Sequence, residues 1–153
     1  MPRLAGVNIL GILIAAIAIY LVGFIWYGLL FSEAYMGGIG VYFSEGMETV
    51  TWMTPDGART ETQMPMAMGW MVAGFAIPLV LAFGLGWHMK QRSIKSPQTA
   101  ALFGFWLALL IGVPLMAYGL VYSPWHSVPA FLVDASHTIV TFVVGCVALS
   151  FFD

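Results

Sequence analysis

Asp134, His137, Thr138 and Thr141 stand at i, i+3, i+4 and i+7 in a stretch that is otherwise apolar. On a helix they share one face, which Gly145 and Ala148 continue. A desolvated carboxylate one turn from an imidazole can exchange a proton near neutral pH or hold a cation. The same residues also suit a structural device, an Asp–His hydrogen bond that locks this segment to a neighbour's Tyr, Ser or Asn. Both readings expect the face to point inward. A charge inside a membrane span costs roughly 2.5–3.5 kcal/mol at the helix centre unless it is paired or meets water.

A second candidate is a set of thioethers. Met64, Met66 and Met68 alternate ahead of an apolar run, Met36, Met47 and Met53 fall in the same inter-helix segment, and His126 belongs to the facing loop. Methionine sulfur with imidazole suits Cu(I), although methionine is as readily an apolar filler. Other chemistries find no support. Ser136 is expected to point away from the Asp134 face, so no Ser/His/Asp triad forms, and neither a phosphate-binding glycine loop nor zinc spacing occurs. Cys146 is the lone cysteine, which leaves neither a disulfide framework nor a thiolate metal site. His88, between Trp87 and Lys90, reads as an interface residue. A haem would want two inward histidines at one depth, where only His137 qualifies. No cofactor is expected.

The elements that position these residues follow from composition. Of 153 residues, 61% are apolar and 8% charged, against roughly a quarter charged in a soluble domain. A spanning helix needs about 20 predominantly apolar residues, and four segments qualify, at roughly 4–31, 67–89, 98–122 and 129–151. The expected fold is an all-α integral membrane protein, one four-helix transmembrane domain over 1–153. The long first segment exceeds a signal-peptide core and is read as a helix. Arg3 precedes helix 1 and Lys90, Arg92 and Lys95 join helices 2 and 3. The segment after helix 1 instead holds Glu33, Glu45, Glu48, Asp56 and Glu61 against Arg59 alone. Basic loops stay cytoplasmic, so both termini are expected inside and the long acidic loop outside. Trp26, Tyr27, Phe31, Tyr35, Tyr118, Tyr122 and Trp125 then read as an outer aromatic belt, with Trp87 at an inner end. A net charge of −2 gives no reason to expect nucleic acid. In the acidic loop, Thr49, Thr51, Trp52 and Thr60 around Pro55-Asp56-Gly57 fit a short hairpin, or else a disordered segment.

Small residues spaced by four mark close helix packing. Helix 3 carries Ala100, Gly104, Ala108 and Gly112, helix 2 carries Gly74, Pro78, Ala82 and Gly86, and helix 1 carries Gly11, Ala15 and Gly23. Pro78 and Pro114 lie mid-span, where they kink or loosen a helix. The stretch 27–32 echoes 118–123, a hint of a duplicated two-helix hairpin that helices 2 and 4 do not share.

Asn8, Gly23, the pair Trp26-Tyr27, Leu30-Phe31 and Tyr35-Met36, with Phe131-Leu132, Asp134-Ala135 and Gly145 in the last helix, carry a resemblance. The chain is similar over about half its length to the bacterial family known as domain of unknown function 1761. Leu29 stands where that family usually has proline, and the acidic loop is long. The resemblance implies a four-span protein of the bacterial cytoplasmic (inner) membrane with no assigned activity. The function expected is a non-catalytic helical subunit or scaffold of a larger membrane assembly, partnered by lipid and by other membrane chains or copies of itself. The alternative is a small oligomeric transporter or proton-linked channel using Asp134 and His137, and a weaker one handles Cu(I). Enzymatic activity has least support, because the acid–base pair lacks a nucleophile or metal.

Overall fold

The structure, a computed structural model, describes residues 2–62, 68–124 and 126–152. Four helices are long and apolar enough to cross a membrane: α1 (Ile9–Leu30), α3 (24 residues, Met68–Gln91, with its apolar window from Val72), α4 (Pro97–Tyr122) and α5 (Val128–Ser150). A short helix α2 (Ser32–Gly38) follows α1.

Polar caps set the helix starts. The Asn8 side chain accepts from the Leu10 N–H at 3.0 Å, Ser96 from Thr99 at 3.2 Å and Ser127 from Ala130 at 3.4 Å; Pro97 and Pro129 occupy the first turns of α4 and α5. The first long helix begins later than its hydropathy suggests. Residues 3–8 instead form a hairpin of β1 (Arg3–Leu4) and β2 (Val7–Asn8), whose turn residues Ala5 (φ 49°) and Gly6 (φ 85°) both take the left-handed conformation of a type I′ turn.

α5 is the central helix, packed on α1 and α4 and more lightly on α2 and α3, while α3 lies mainly against α1. The small-residue stripe of α4 is turned to α5. A Cβ on Gly104 would lie 2.6 Å from the Phe142 carbonyl oxygen, one on Gly112 would lie 2.7 Å from the Thr138 methyl, and Ala100 and Ala108 are wholly buried. On α3 the stripe is split. Gly86 abuts Val7 and Leu149 and Ala82 is wholly buried, whereas Gly74 has open space beside it.

At the end of the bundle away from Arg3, the segment between α2 and α3 forms a three-stranded antiparallel sheet of β3 (Val41–Phe43), β4 (Thr49–Thr54) and β5 (Gly57–Thr62). Of the hairpin and the disordered segment, the hairpin is present: Thr54 pairs with Gly57 across Pro55-Asp56, and the Thr54 hydroxyl donates to the Gly57 carbonyl at 2.8 Å. This is called the sheet end below. The opposite, basic end carries Arg3, Lys90, Arg92 and Lys95, and there the Asn8 side-chain amide donates to the Phe152 carbonyl at 3.3 Å, tying β2 to the end of α5.

Both α1 and α4 depart from α-helical winding. Phe24–Leu30 and Ala108–Gly112 are π-helical, and at the end of the first the Phe31 N–H reaches five residues back to the Trp26 carbonyl at 2.9 Å. Pro114 follows the second closely, where its missing N–H and ring disturb the ladder.

Candidate functional site

Asp134 is the seventh residue of α5 and is 6% exposed. Both of its oxygens are engaged from other parts of the chain. The Tyr27 hydroxyl, from the π segment of α1, donates to Oδ1 at 2.6 Å. His126, in the loop before α5, brings Nε2 to 3.1 Å from Oδ2. That second approach lacks the alignment of a hydrogen bond, so the buried His126 Nε2 has no hydrogen-bond partner. It is a close charge contact, effective when the imidazole is protonated.

Around this core the aromatic rings pack closely at tilted angles. Tyr27 lies 4.7 Å from Tyr35 of α2 and 4.6 Å from His137 between ring centroids. Burial and the Asp134 charge push the Tyr35 phenol upward, so it stays neutral. One residue along, the Trp26 indole N–H donates to the Ser136 hydroxyl at 3.1 Å, and that hydroxyl donates to the Val133 carbonyl at 2.9 Å. Neighbours on an α-helix diverge by about 100°. The wider π turn narrows that angle, which helps Trp26 and Tyr27 both reach α5.

On the polar face of α5, Asp134, Thr138 and Thr141 are buried and His137 is half-buried. Its pairing differs from expectation. Asp134 takes its hydrogen bond from Tyr27 rather than from His137, and His137 Nε2 instead meets the Thr141 hydroxyl at 3.2 Å, one turn further along. Thr138 donates to the Met116 sulfur of α4 at 2.8 Å. An i, i+3 spacing puts two residues on one face, but a tyrosine arriving from the facing helix can meet a short carboxylate head-on. Ser136, expected to point away from this face, does so and is bonded to Trp26.

Three site residues were therefore missed as such. Tyr27 and Trp26 read as belt aromatics, and His126 as a thioether partner. For Trp26 and Tyr27 the sequence signal was the family resemblance itself, since of its N-terminal pair Tyr27 meets Asp134 of its C-terminal motif and Trp26 meets Ser136 close by; His126 had no such signal. Of the copper candidates, His126 faces Asp134, Met68 begins α3, and Met64 and Met66 lie outside the described residues, as does Trp125. Among the described residues no three His, Cys, Asp or Glu side chains converge as a metal site. The echo between 27–32 and 118–123 has no counterpart in role, because Tyr118 is exposed and stacks on Tyr122.

Beside the polar face, Gly23, Phe24, Ile77, Pro78, His137 and Thr141 help line an apolar groove of about 350 Å³ between α1 and α3. His137 thus connects the Asp134 cluster to the side of the bundle.

Four apolar helices of spanning length around one buried, doubly engaged carboxylate define a helical-bundle protein of membrane dimensions. The chain belongs to the family described as protein of unknown function (DUF1761), whose family model matches residues 10–150. No curated protein and no solved structure matches the chain.

Proposed function

We propose that this is a multi-pass protein of the bacterial cytoplasmic membrane, with both termini cytoplasmic and the acidic sheet outside, acting as a non-catalytic helical subunit. In this reading the Asp134 cluster locks the bundle and does not turn over a substrate. The observation that carries it is the closure of the carboxylate: Asp134 is 6% exposed, one oxygen accepts the Tyr27 hydroxyl and the other lies 3.1 Å from His126 Nε2. A group so enclosed is shaped for holding helices together. The flanks fit a lipid or protein environment, since Ile77 and Val80 of α3 and Leu110 and Val121 of α4 are among many large apolar side chains left exposed.

A second reading, a proton-linked pathway in an oligomer, is favoured by a different observation. The two π-helical segments flank the polar face of α5, with Tyr27 in one on Asp134 and Gly112 in the other on Thr138, and π turns recur at functional sites. One pair of measurements in proteoliposomes separates the two. The structural reading expects no proton flux in the parent, a thermal transition largely kept in Asp134→Asn, and a clear loss of stability in Asp134→Leu. A parent flux that vanishes in Asp134→Asn at unchanged stability would establish the proton pathway instead.

A further inference from the structure

The groove between α1 and α3 has a polar floor. Through the gap between those helices it reaches α5, where His137 Nε2 and the Thr141 hydroxyl lie 3.2 Å apart. Among the described residues neither atom has another hydrogen-bond partner. If the imidazole donates, the hydroxyl proton is left over; if the hydroxyl donates to a bare Nε2, lone pairs of its oxygen are left over. Either way, the pair keeps an unused hydrogen-bonding valence at the base of an otherwise apolar groove of about 350 Å³.

The α3 wall offers a complementary group. Pro78 lies inside α3 and lines the groove, and its missing N–H leaves the Gly74 carbonyl, four residues back on the same wall, without the donor a helix normally supplies. In hydrocarbon no water replaces that donor. Two glycines keep the space open. Gly23 of α1 is helical, at φ −59° and ψ −45°, and a Cβ there would lie 3.6 Å from His137 Nε2, an ordinary contact. A Cβ on Gly74 would meet nothing within 4 Å, and Gly74 is not at positive φ. Neither backbone conformation nor packing calls for glycine at these positions, so what both leave is room in the groove.

We propose that this groove binds an uncharged, membrane-soluble alcohol, an apolar chain or ring carrying one hydroxyl. When the imidazole donates to Thr141, the Thr141 proton goes to the ligand oxygen and the ligand's own proton to the Gly74 carbonyl. A hydroxyl completes this chain of donors because it accepts and donates at once, whereas an ether or a ketone can only accept and a hydrocarbon does neither. The lining residues carry no permanent charge, so a carboxylate or ammonium head would enter unpaired. The proposal goes beyond the subunit reading and takes from it only that the occupant arrives laterally from the bilayer.

The test uses the full chain in detergent, so that its failure is distinct from a failure of the membrane reading. A dodecanol bearing a diazirine on its chain is photolysed with the protein and the labelled residues are mapped by mass spectrometry, with dodecanol, its methyl ether and dodecane as competitors at equal micellar mole fraction. Labelling should fall within residues 19–24 and 74–81, and dodecanol should compete about tenfold better than the ether, the worth of one or two hydrogen bonds. Gly74→Leu fills the groove without displacing a neighbour and should abolish labelling of a chain that melts like the parent. Thr141→Val should bring dodecanol and its ether to equal strength; should that variant fail to fold, Gly74→Leu and the competitor series still decide. Equal competition by all three compounds in the parent would overturn the proposal, as would labelling outside both segments or labelling that persists in folded Gly74→Leu protein.

Discussion

The Tyr27–Asp134 contact dominates the residue scale because it joins a charged acceptor to a donor from another helix in a site that water barely reaches. Hydrogen bonds to charged groups are worth about 1.5–3 kcal/mol, and leaving the acceptor unsatisfied costs a similar amount. Tyr27→Phe, which keeps the ring and removes the hydroxyl, should therefore lower unfolding free energy by about 1–3 kcal/mol. Trp26→Phe should cost only about 0.5–1 kcal/mol, since its acceptor is a neutral hydroxyl that stays bonded to Val133. Equilibrium unfolding of both variants in one detergent checks the order, and a Trp26→Phe loss equal to that of Tyr27→Phe would mean that the charge of Asp134 is not what matters. The inward face of α5 was legible in the sequence because the spacing of Asp134, Thr138 and Thr141 carries it. The partner of Asp134 was not, because Tyr27 lies 107 residues away and an aromatic at a helix end has the same appearance whether it faces lipid or a carboxylate.

Spacing by four recurs on three helices, yet it has different consequences in each. Gly104 faces the backbone of α5 at Phe142, and Gly74 faces open space. Gly104→Leu should prevent native packing or lower the thermal transition steeply, while Gly74→Leu should melt close to the parent. Similar melting for the two variants would remove the α4–α5 contact from the account. At the end of α3, Ser93 holds a left-handed conformation that costs a non-glycine residue about 1–2 kcal/mol. Ser93→Gly should gain about 0.5–1 kcal/mol after the added entropy of glycine in the unfolded chain, and a measured loss would show that the hydroxyl contributes more than the strain costs. The extents of the long apolar helices could be read within a few residues from hydropathy. The β1–β2 hairpin was hidden because Leu4, Ala5 and Val7 are as apolar as the helix they precede, and the π segments were hidden because winding leaves no trace in composition.

For the whole molecule, the basic end and the acidic sheet end lie at opposite ends of a four-helix bundle, and this polarity underlies the proposed orientation. After Cys146→Ala, a cysteine placed at Asp56 should react with an impermeant reagent in intact cells, and one placed at Arg92 only after permeabilisation; the reverse pattern would invert the topology. The number of long apolar helices was legible from apolar length alone. That α5 is the hub was not, because all four segments are similarly apolar and only its polar face sets it apart. The central claim is that Asp134 joins α1 to this hub through Tyr27. A double-mutant cycle on unfolding free energy with Tyr27→Phe, Asp134→Ala and the double variant tests it most directly. The account predicts a coupling of about 1–2 kcal/mol between the two sites, whereas additive losses would contradict it.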